Sequence, residues 1–289
     1  MQTGAGIVTV DQLRDQLGET STITVARTRQ LLRLIDASSR MITQFTRRSF
    51  VPFLDTRYYD ARGAHIDTYN LRLDADLLSI DSLVNGDSAT ISSDDYVLRP
   101  SNNTPYHTIQ LKQTSSSGWV YDDDWENAIS VNGWWGFHET YALAWVGTND
   151  TVQNAGGISD SDTTIEVVDA DASDVDYMAR FQVGGWLRIN DEAMRIFEVD
   201  TTLNTITVLR GALGTTPASH DNGDSINKYH AQYDIAQACL GLAVWLERNK
   251  GATGENLMFV NGGEIRMNQV PDYIVNTIKA YRRAKAIAI

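Results

Sequence analysis

Arg27 to Phe53 reads RTRQLLRLIDASSRMITQFTRRSFVPF, and this stretch sets the expected architecture. Leu31, Leu34, Ile35, Ser38, Met41, Ile42 and Phe45 recur at three- and four-residue spacing, which lays one apolar stripe along a helix. Thr24 is placed to cap its start, and Pro52 stops it beyond Phe50. About 3.6 residues per turn makes this a helix of roughly six turns. It ends in Arg47 and Arg48, cations that suit the negative end of a helix dipole.

Upstream, Thr9-Val-Asp-Gln12 has the form of a capping box, with Leu13 and Leu17 on one side and Gly18 at the stop. Downstream the period changes to two. Thr56-Arg-Tyr-Tyr-Asp, Leu71 and Leu73, then Leu78 to Val84 read as strands, and Asn85-Gly86 reads as a two-residue hairpin turn. Tyr96-Val-Leu98 and Ile109-Gln-Leu111 follow, an order expected to give an antiparallel meander. Five of the seven tryptophans fall between Trp119 and Trp145. The run Val131-Asn-Gly-Trp-Trp-Gly136 suggests indoles packed over a close backbone approach, with a sugar-stacking platform or an intersubunit anchor as the other readings.

Charge divides the chain. Residues 150–225 carry 14 acidic and 4 basic side chains, net −10; residues 226–289 carry 5 and 8, net +3; residues 1–149 carry 18 and 12, net −6. That step predicts an insertion at 149–225 in a chain formed by 1–148 and 226–289. Within it Thr163–Val167, Gly185–Ile189, Ala193–Val199 and Thr205–Leu209 alternate, with turns at Asn190-Asp191 and Leu203-Asn204, as in a small barrel or sandwich. After it come a buried helix over 230–249 ended by Gly251, a glycine-rich linker over 252–263, and a last helix opening at Pro271. Ile274, Ile278 and Tyr281 form that helix's apolar stripe, and Lys279, Arg282, Arg283 and Lys285 crowd its C-terminal half.

The net charge of −13 argues against simple electrostatic capture of nucleic acid or anionic lipid. The single Cys239 permits neither an intrachain disulfide nor a cysteine-based metal cluster, and its apolar helical neighbours suggest a core residue. No apolar run reaches the ~18 residues a membrane span needs, and the first residues lack the form of a secretory signal. A reducing cytoplasm, or an assembly built there, is the expected location. There is no phosphate-binding glycine loop, no His-Glu-x-x-His and no Gly-x-Ser-x-Gly. Asp122-Asp123-Asp124 lacks the spacing of a calcium loop, and His138-Glu139 places two adjacent residues on opposite strand faces. No enzyme activity, cofactor or metal is expected.

Taken in order, Phe45-Thr-Arg-Arg-Ser-Phe-Val-Pro, Thr56-Arg-Tyr-Tyr-Asp, Leu71 to Ile80, Asp95-Tyr-Val-Leu-x-Pro100, Val131 to Gly136 and the helix ending Trp245-Leu-Glu-Arg248 form a series. It resembles the head–tail adaptor (connector) proteins of tailed bacteriophages over roughly 1–148 and 226–289. The resemblance implies an α+β fold: a helical-bundle adaptor core with an antiparallel β extension, here with an inserted all-β barrel or sandwich module. It implies a structural virion protein at the neck, assembled as a homo-oligomeric ring of twelve copies. Such a ring docks under the portal protein, receives a stopper or tail-completion protein, and lets DNA pass through its lumen without specific binding. Ile278, Lys279, Tyr281, Arg282, Arg283 and Lys285 are the expected portal-binding residues, with a solvated basic face as the plainer reading. A carbohydrate-binding or host-recognition phage protein and a stopper-type neck protein are the rival readings; long apolar helices favour the adaptor, because stoppers are mainly β.

Overall fold

The computed structural model describes residues 5–63, 65–173, 178–249, 259–260, 264–265 and 270–283. Its helices are α1 Val10–Leu17, α2 Val25–Thr46, α3 Tyr233–Arg248 and α4 Asp272–Ala280. The strands are β1 Phe53–Tyr59, β2 Asn70–Val84, β3 Tyr96–Arg99, β4 Tyr106–Leu111, β5 Ile129–Trp135, β6 Trp145–Thr151, β7 Thr164–Glu166, β8 Trp186–Ile189, β9 Glu192–Asp200, β10 Thr205–Ala212, β11 Ser225–Tyr229, β12 Phe259–Val260 and β13 Glu264–Ile265. They form a five-stranded sheet, β1-β5-β2-β4-β3, a six-stranded sheet, β6-β11-β8-β9-β10-β7, and the pair β12-β13. The chain falls into two compact units, Met1–Arg47 with Trp145–Arg282, and Arg48–Ala144 with Arg283–Ile289.

This corrects the expected fold class. The protein is mostly β, and its core is not a helical bundle. The four helices do pack on one another, α2 against α3 and α3 against α4. Two clusters of buried side chains among the described residues, however, are built mainly from strands. Thirteen residues from Val152 to Ile226 fill one, and Tyr59, Leu71, Leu77, Ile109, Val131 and Trp135 lie at the centre of the other. A 3.6-residue stripe stands out in sequence, whereas short strands with bulges alternate imperfectly and look peripheral until they pair.

In the first unit the capping box at Thr9 forms as its spacing predicts, with Gln12 N donating to Thr9 Oγ1 and Thr9 N to Gln12 Oε1, and Gly18 closes α1 in the left-handed region. Thr24 caps α2, which ends at Thr46 because Arg47 turns left-handed, φ 59°, ahead of Pro52. Ser39 on α2 accepts from Ile7 N at 3.0 Å and meets the buried Cys239 of α3 at 3.4 Å. Burial pushes the Cys239 thiol up to about 12, so it is a packed, inert group. Gly251 and almost all of the 252–263 linker lie outside the described residues.

The six-stranded sheet curls until its last strand meets its first: Gln153 N, just past β6, donates to Glu166 O of β7 at 2.8 Å. The meeting line is held by side chains standing in for main chain. Asn154 Oδ1 accepts from Glu166 N, and the buried Asp150 carboxylate accepts from Val168 N, Asp169 N and Arg180 Nη1. Asn190 (φ 49°) and Asn204 (φ 52°) make the two turns expected there.

In the second unit β2 is one 15-residue strand rather than two, bent by register shifts between Arg72 and Leu77, Leu77 and Ser79, and Ile80 and Ser82. Its order departs from a meander, since β5 lies between β1 and β2. Asn85-Gly86 opens a wider turn than a two-residue hairpin. Asn85 N reaches Ala89 O, and it is Ser88 that takes positive φ. Gly133 sits where a Cβ would lie 2.1 Å from Ser79 O, which is the close backbone approach its flanking tryptophans imply. Trp134 and Trp135 are buried beside it, and Trp135 Nε1 donates to Asp55 O at 3.0 Å.

Candidate functional site

Helix α4 starts after Pro271 and ends at Ala280, so Arg282 and Arg283 of the basic run expected on its C-terminal half follow it. Five of the six expected portal-binding residues are among the described residues. Ile278 is a core residue, 1% exposed, beside Ile274 and Val275. Lys279 is exposed. The Tyr281 hydroxyl donates to Asp234 of α3 and accepts from Gln232 Nε2. Arg282, exposed, lies over the Phe45 ring of α2 at 5.4 Å. Arg283 belongs to the second unit, and Lys285 lies outside the described residues.

Arg283 leads to a cluster that sequence reasoning did not find. Asp76, on the bulged part of β2, is 4% exposed. Arg48 Nη1 donates to its Oδ2 at 2.9 Å, Arg283 Nη1 stands 3.8 Å from Oδ1, and His107 Nδ1 of β4 stands 3.6 Å from the same oxygen. Arg283 Nη2 also donates to Leu73 O at 3.3 Å. Burial lowers the His107 pKa; Asp76 opposes the shift, and Arg283 and Arg48 add to it. The ring is therefore a neutral neighbour, and the charge balance is one carboxylate against two guanidiniums. Arg48 stood out in the sequence as half of a basic pair and Arg283 as part of the basic C-terminal end; Asp76, which Arg48 meets, lies 28 residues on from it.

A second buried cluster occupies the six-stranded sheet. Glu192 at the start of β9 accepts from Arg210 Nε and Nη2, from Gly211 N and Ala218 N, and meets His220 Nε2 at 2.9 Å. Burial pushes the Glu192 carboxyl up, but these donors outweigh it and hold the group down to about 2. Arg210 also ties the carbonyls of Ser159, Asp162 and Ala218. Glu192, Arg210, Gly211 and His220 are spread over 28 residues of chain, and the structure closes them into one hydrogen-bonded knot. A small cleft in the same unit lies between Gly6–Thr9 and Gly184–Trp186, with Gln182, Lys228 and His230 on its walls. Trp186 Nε1 donates to Gly6 O there at 2.8 Å, and Thr9 Oγ1 to Gln182.

What these clusters can do chemically is hold backbone in place. Their carboxylates, Asp76 and Glu192, lie inside and are engaged by cationic side chains, while His107 at the rim of the first cluster is half-exposed. Asp122, Asp123 and Asp124 are exposed to solvent. Among the described residues no group of three or more His, Cys, Asp or Glu is arranged to hold a metal ion, and no helix is long and apolar enough to cross a membrane.

No protein-family model and no curated protein matches this chain. Among solved structures, a chain described as belonging to the neck of an empty gene transfer agent particle, computed with C6 symmetry, aligns over 100% of this chain and 96% of its own length. The identity is 11% and the TM-score 0.34. A superposition that loose carries neither fold nor role across.

Proposed function

We propose that this chain is a structural protein of a tailed-phage-type virion neck, working as one copy in a ring. The observation that carries the reading is where its buried ionisable groups are spent. Glu192 is committed to Arg210 and two backbone amides, Asp150 to Arg180 and backbone amides, and Asp76 to Arg48. A catalyst keeps at least one such group facing its substrate; here they brace β structure. The ordered series of motifs shared with head–tail adaptors supports the same reading, and in the adaptor position the ring would dock under the portal and extend the DNA channel. Lys279 and Arg282, both exposed, would be the members of the basic end that meet an acidic portal surface. An acidic lumen would let DNA slide without salt-sensitive capture.

One observation favours the rival place in the neck. Stoppers are mainly β, and so is this chain. The sugar-binding reading loses ground, since Trp134, Trp135 and Trp186 are buried and Trp119, Trp125, Trp145 and Trp245 half-buried. The deciding experiment is to image purified particles with the chain tagged, and to test capture of the purified chain by portal protein and by tail-completion protein separately. A tag at the neck with portal capture that Lys279→Glu/Arg282→Glu weakens at least tenfold supports the adaptor. Capture by the tail side alone makes it a stopper, and particles whose neck lacks the tag end the neck reading altogether.

A further inference from the structure

Strand β1 is an open edge of the five-stranded sheet, and its protection is limited to two charges of opposite sign, Asp55 and Arg57, and to Pro52 just before it. Its seven residues pair with β5 in unbroken register, Phe53 with Trp135 through Tyr59 with Ile129. No lysine, proline, glycine or bulge interrupts it. Among the described residues no strand pairs with its outer side. By contrast β3, the other edge, is four residues long and is followed at once by Pro100. A long, regular, lightly protected edge is a template for another strand.

The direction of its free groups follows from the ladder. Ile91 N donates to Leu83 O and Asn85 N to Ala89 O, so Leu83 and Asn85 face away from β5 and Val84 faces Ser130. Alternation then turns Ile129, Val131 and Gly133 of β5 toward Tyr59, Arg57 and Asp55. Trp135 Nε1 reaching Asp55 O agrees with that direction. The N–H and C=O groups of Leu54, Thr56 and Tyr58 are thereby left pointing outward.

We infer that β1 pairs antiparallel with β1 of a second copy, across a twofold axis at Thr56. The sequence Leu54-Asp-Thr-Arg-Tyr58 is complementary to itself in that register. The outward-pointing set 54, 56, 58 maps onto itself, so each free group finds a partner. Leu54 falls opposite the other copy's Tyr58, whose side chain is 60% exposed in the single chain. Asp55, half-exposed and 4.0 Å from its own Arg57 Nε, falls opposite the other copy's Arg57. Opposite charges facing across a pair stabilise it, and a shift by two residues in either direction would set Asp55 against Asp55 or Arg57 against Arg57. The contact is isologous, closing at two copies rather than continuing into a ring. It stands independently of the neck reading: it describes how the free chain covers its edge, whatever particle the chain later joins.

The test uses the full chain in solution. Light scattering on a sizing column should give twice the single-chain mass of 32.1 kDa. Thr56→Pro removes an outward N–H while leaving the β5 ladder intact, and should elute as a monomer with an unchanged circular-dichroism spectrum. Asp55→Arg should also be monomeric, and Asp55→Arg/Arg57→Asp should restore the dimer. Thr56→Cys should form a disulfide-linked dimer without any second new thiol, because directly opposed residues lie about 5.5 Å apart and the native Cys239 is sealed in the core. This last readout still decides the matter if Arg57→Asp fails to fold, since Arg57 also holds Asp74. A wild-type monomer up to its solubility limit, a dimer indifferent to Thr56→Pro, or a larger ring in which Thr56→Cys does not cross-link would each overturn the inference.

Discussion

Glu192 and Arg210 meet through two parallel contacts, Nε to Oε1 at 2.9 Å and Nη2 to Oε2 at 2.8 Å, with both side chains at most 5% exposed. Removing one partner of a buried, two-pronged pair strands the other charge. Glu192→Gln should cost about 3–5 kcal/mol and lower the melting temperature of its unit by roughly 10 °C. Asp191→Asn, which alters a fully exposed carboxylate beside Arg188, should leave the melting curve where it was. The Glu192 carboxyl is held down to about 2, so its contribution is present above the ordinary carboxylate range and is lost as pH falls toward 2. Acid unfolding followed by tryptophan fluorescence should start at higher pH in Arg210→Gln than in the native chain.

His107 gives the second unit an acid sensitivity of its own. Its pKa is lowered by burial, so in acid the unfolded chain binds a proton there before the folded chain does. Stability at this site is full above the ordinary histidine range and falls as pH drops through it. Melting temperatures measured from neutral down to mildly acidic pH should fall less steeply for His107→Asn than for the native chain. Equal slopes would remove His107 from the account.

Gly133→Ala places a methyl 2.1 Å from Ser79 O, where main chain meets main chain and no side chain can swing away. Overpacking of this kind costs about 1–3 kcal/mol or more. The near-ultraviolet signal of Trp134 and Trp135 should weaken, since both are buried in the same stretch.

Arg47 closes α2 at φ 59°, a conformation costing roughly 1–2 kcal/mol for a residue with a Cβ. Arg47→Gly should therefore stabilise the chain by up to about 1 kcal/mol, read as a higher urea midpoint at constant slope. A lower midpoint would mean that the Arg47 side chain contributes more than its backbone costs.

Local chemistry was legible in the sequence. Thr9 with Gln12, Thr24, Gly18, Asn190 and Asn204 each act on backbone within a few residues, so their types announce the structure they make. What the sequence did not reveal was whatever depends on distant partners. The bulges in β2 bury Leu77 and Leu78 side by side and break the period of two, so one long strand read as two. Arg283 was grouped with the basic C-terminal end; its neighbour Asp76 lies more than 200 residues earlier, and no spacing rule links them. Ile278 was expected at a docking face because apolar stripes on a short terminal helix look alike whether they meet this chain or another. Overestimating the helices had the same origin: a helix declares itself alone, and a sheet only once its members have met.

The curled sheet has a mechanical consequence. Its closing line rests on one main-chain bond, from Gln153 to Glu166, reinforced by the borrowed oxygens of Asn154 and Asp150. Such a zipper has a preferred end from which to run. Deuterium should enter at Gln153, Glu166 and Val168 long before it reaches β8 and β9, and a pull applied along β6 should peel that wall away while the opposite one still holds.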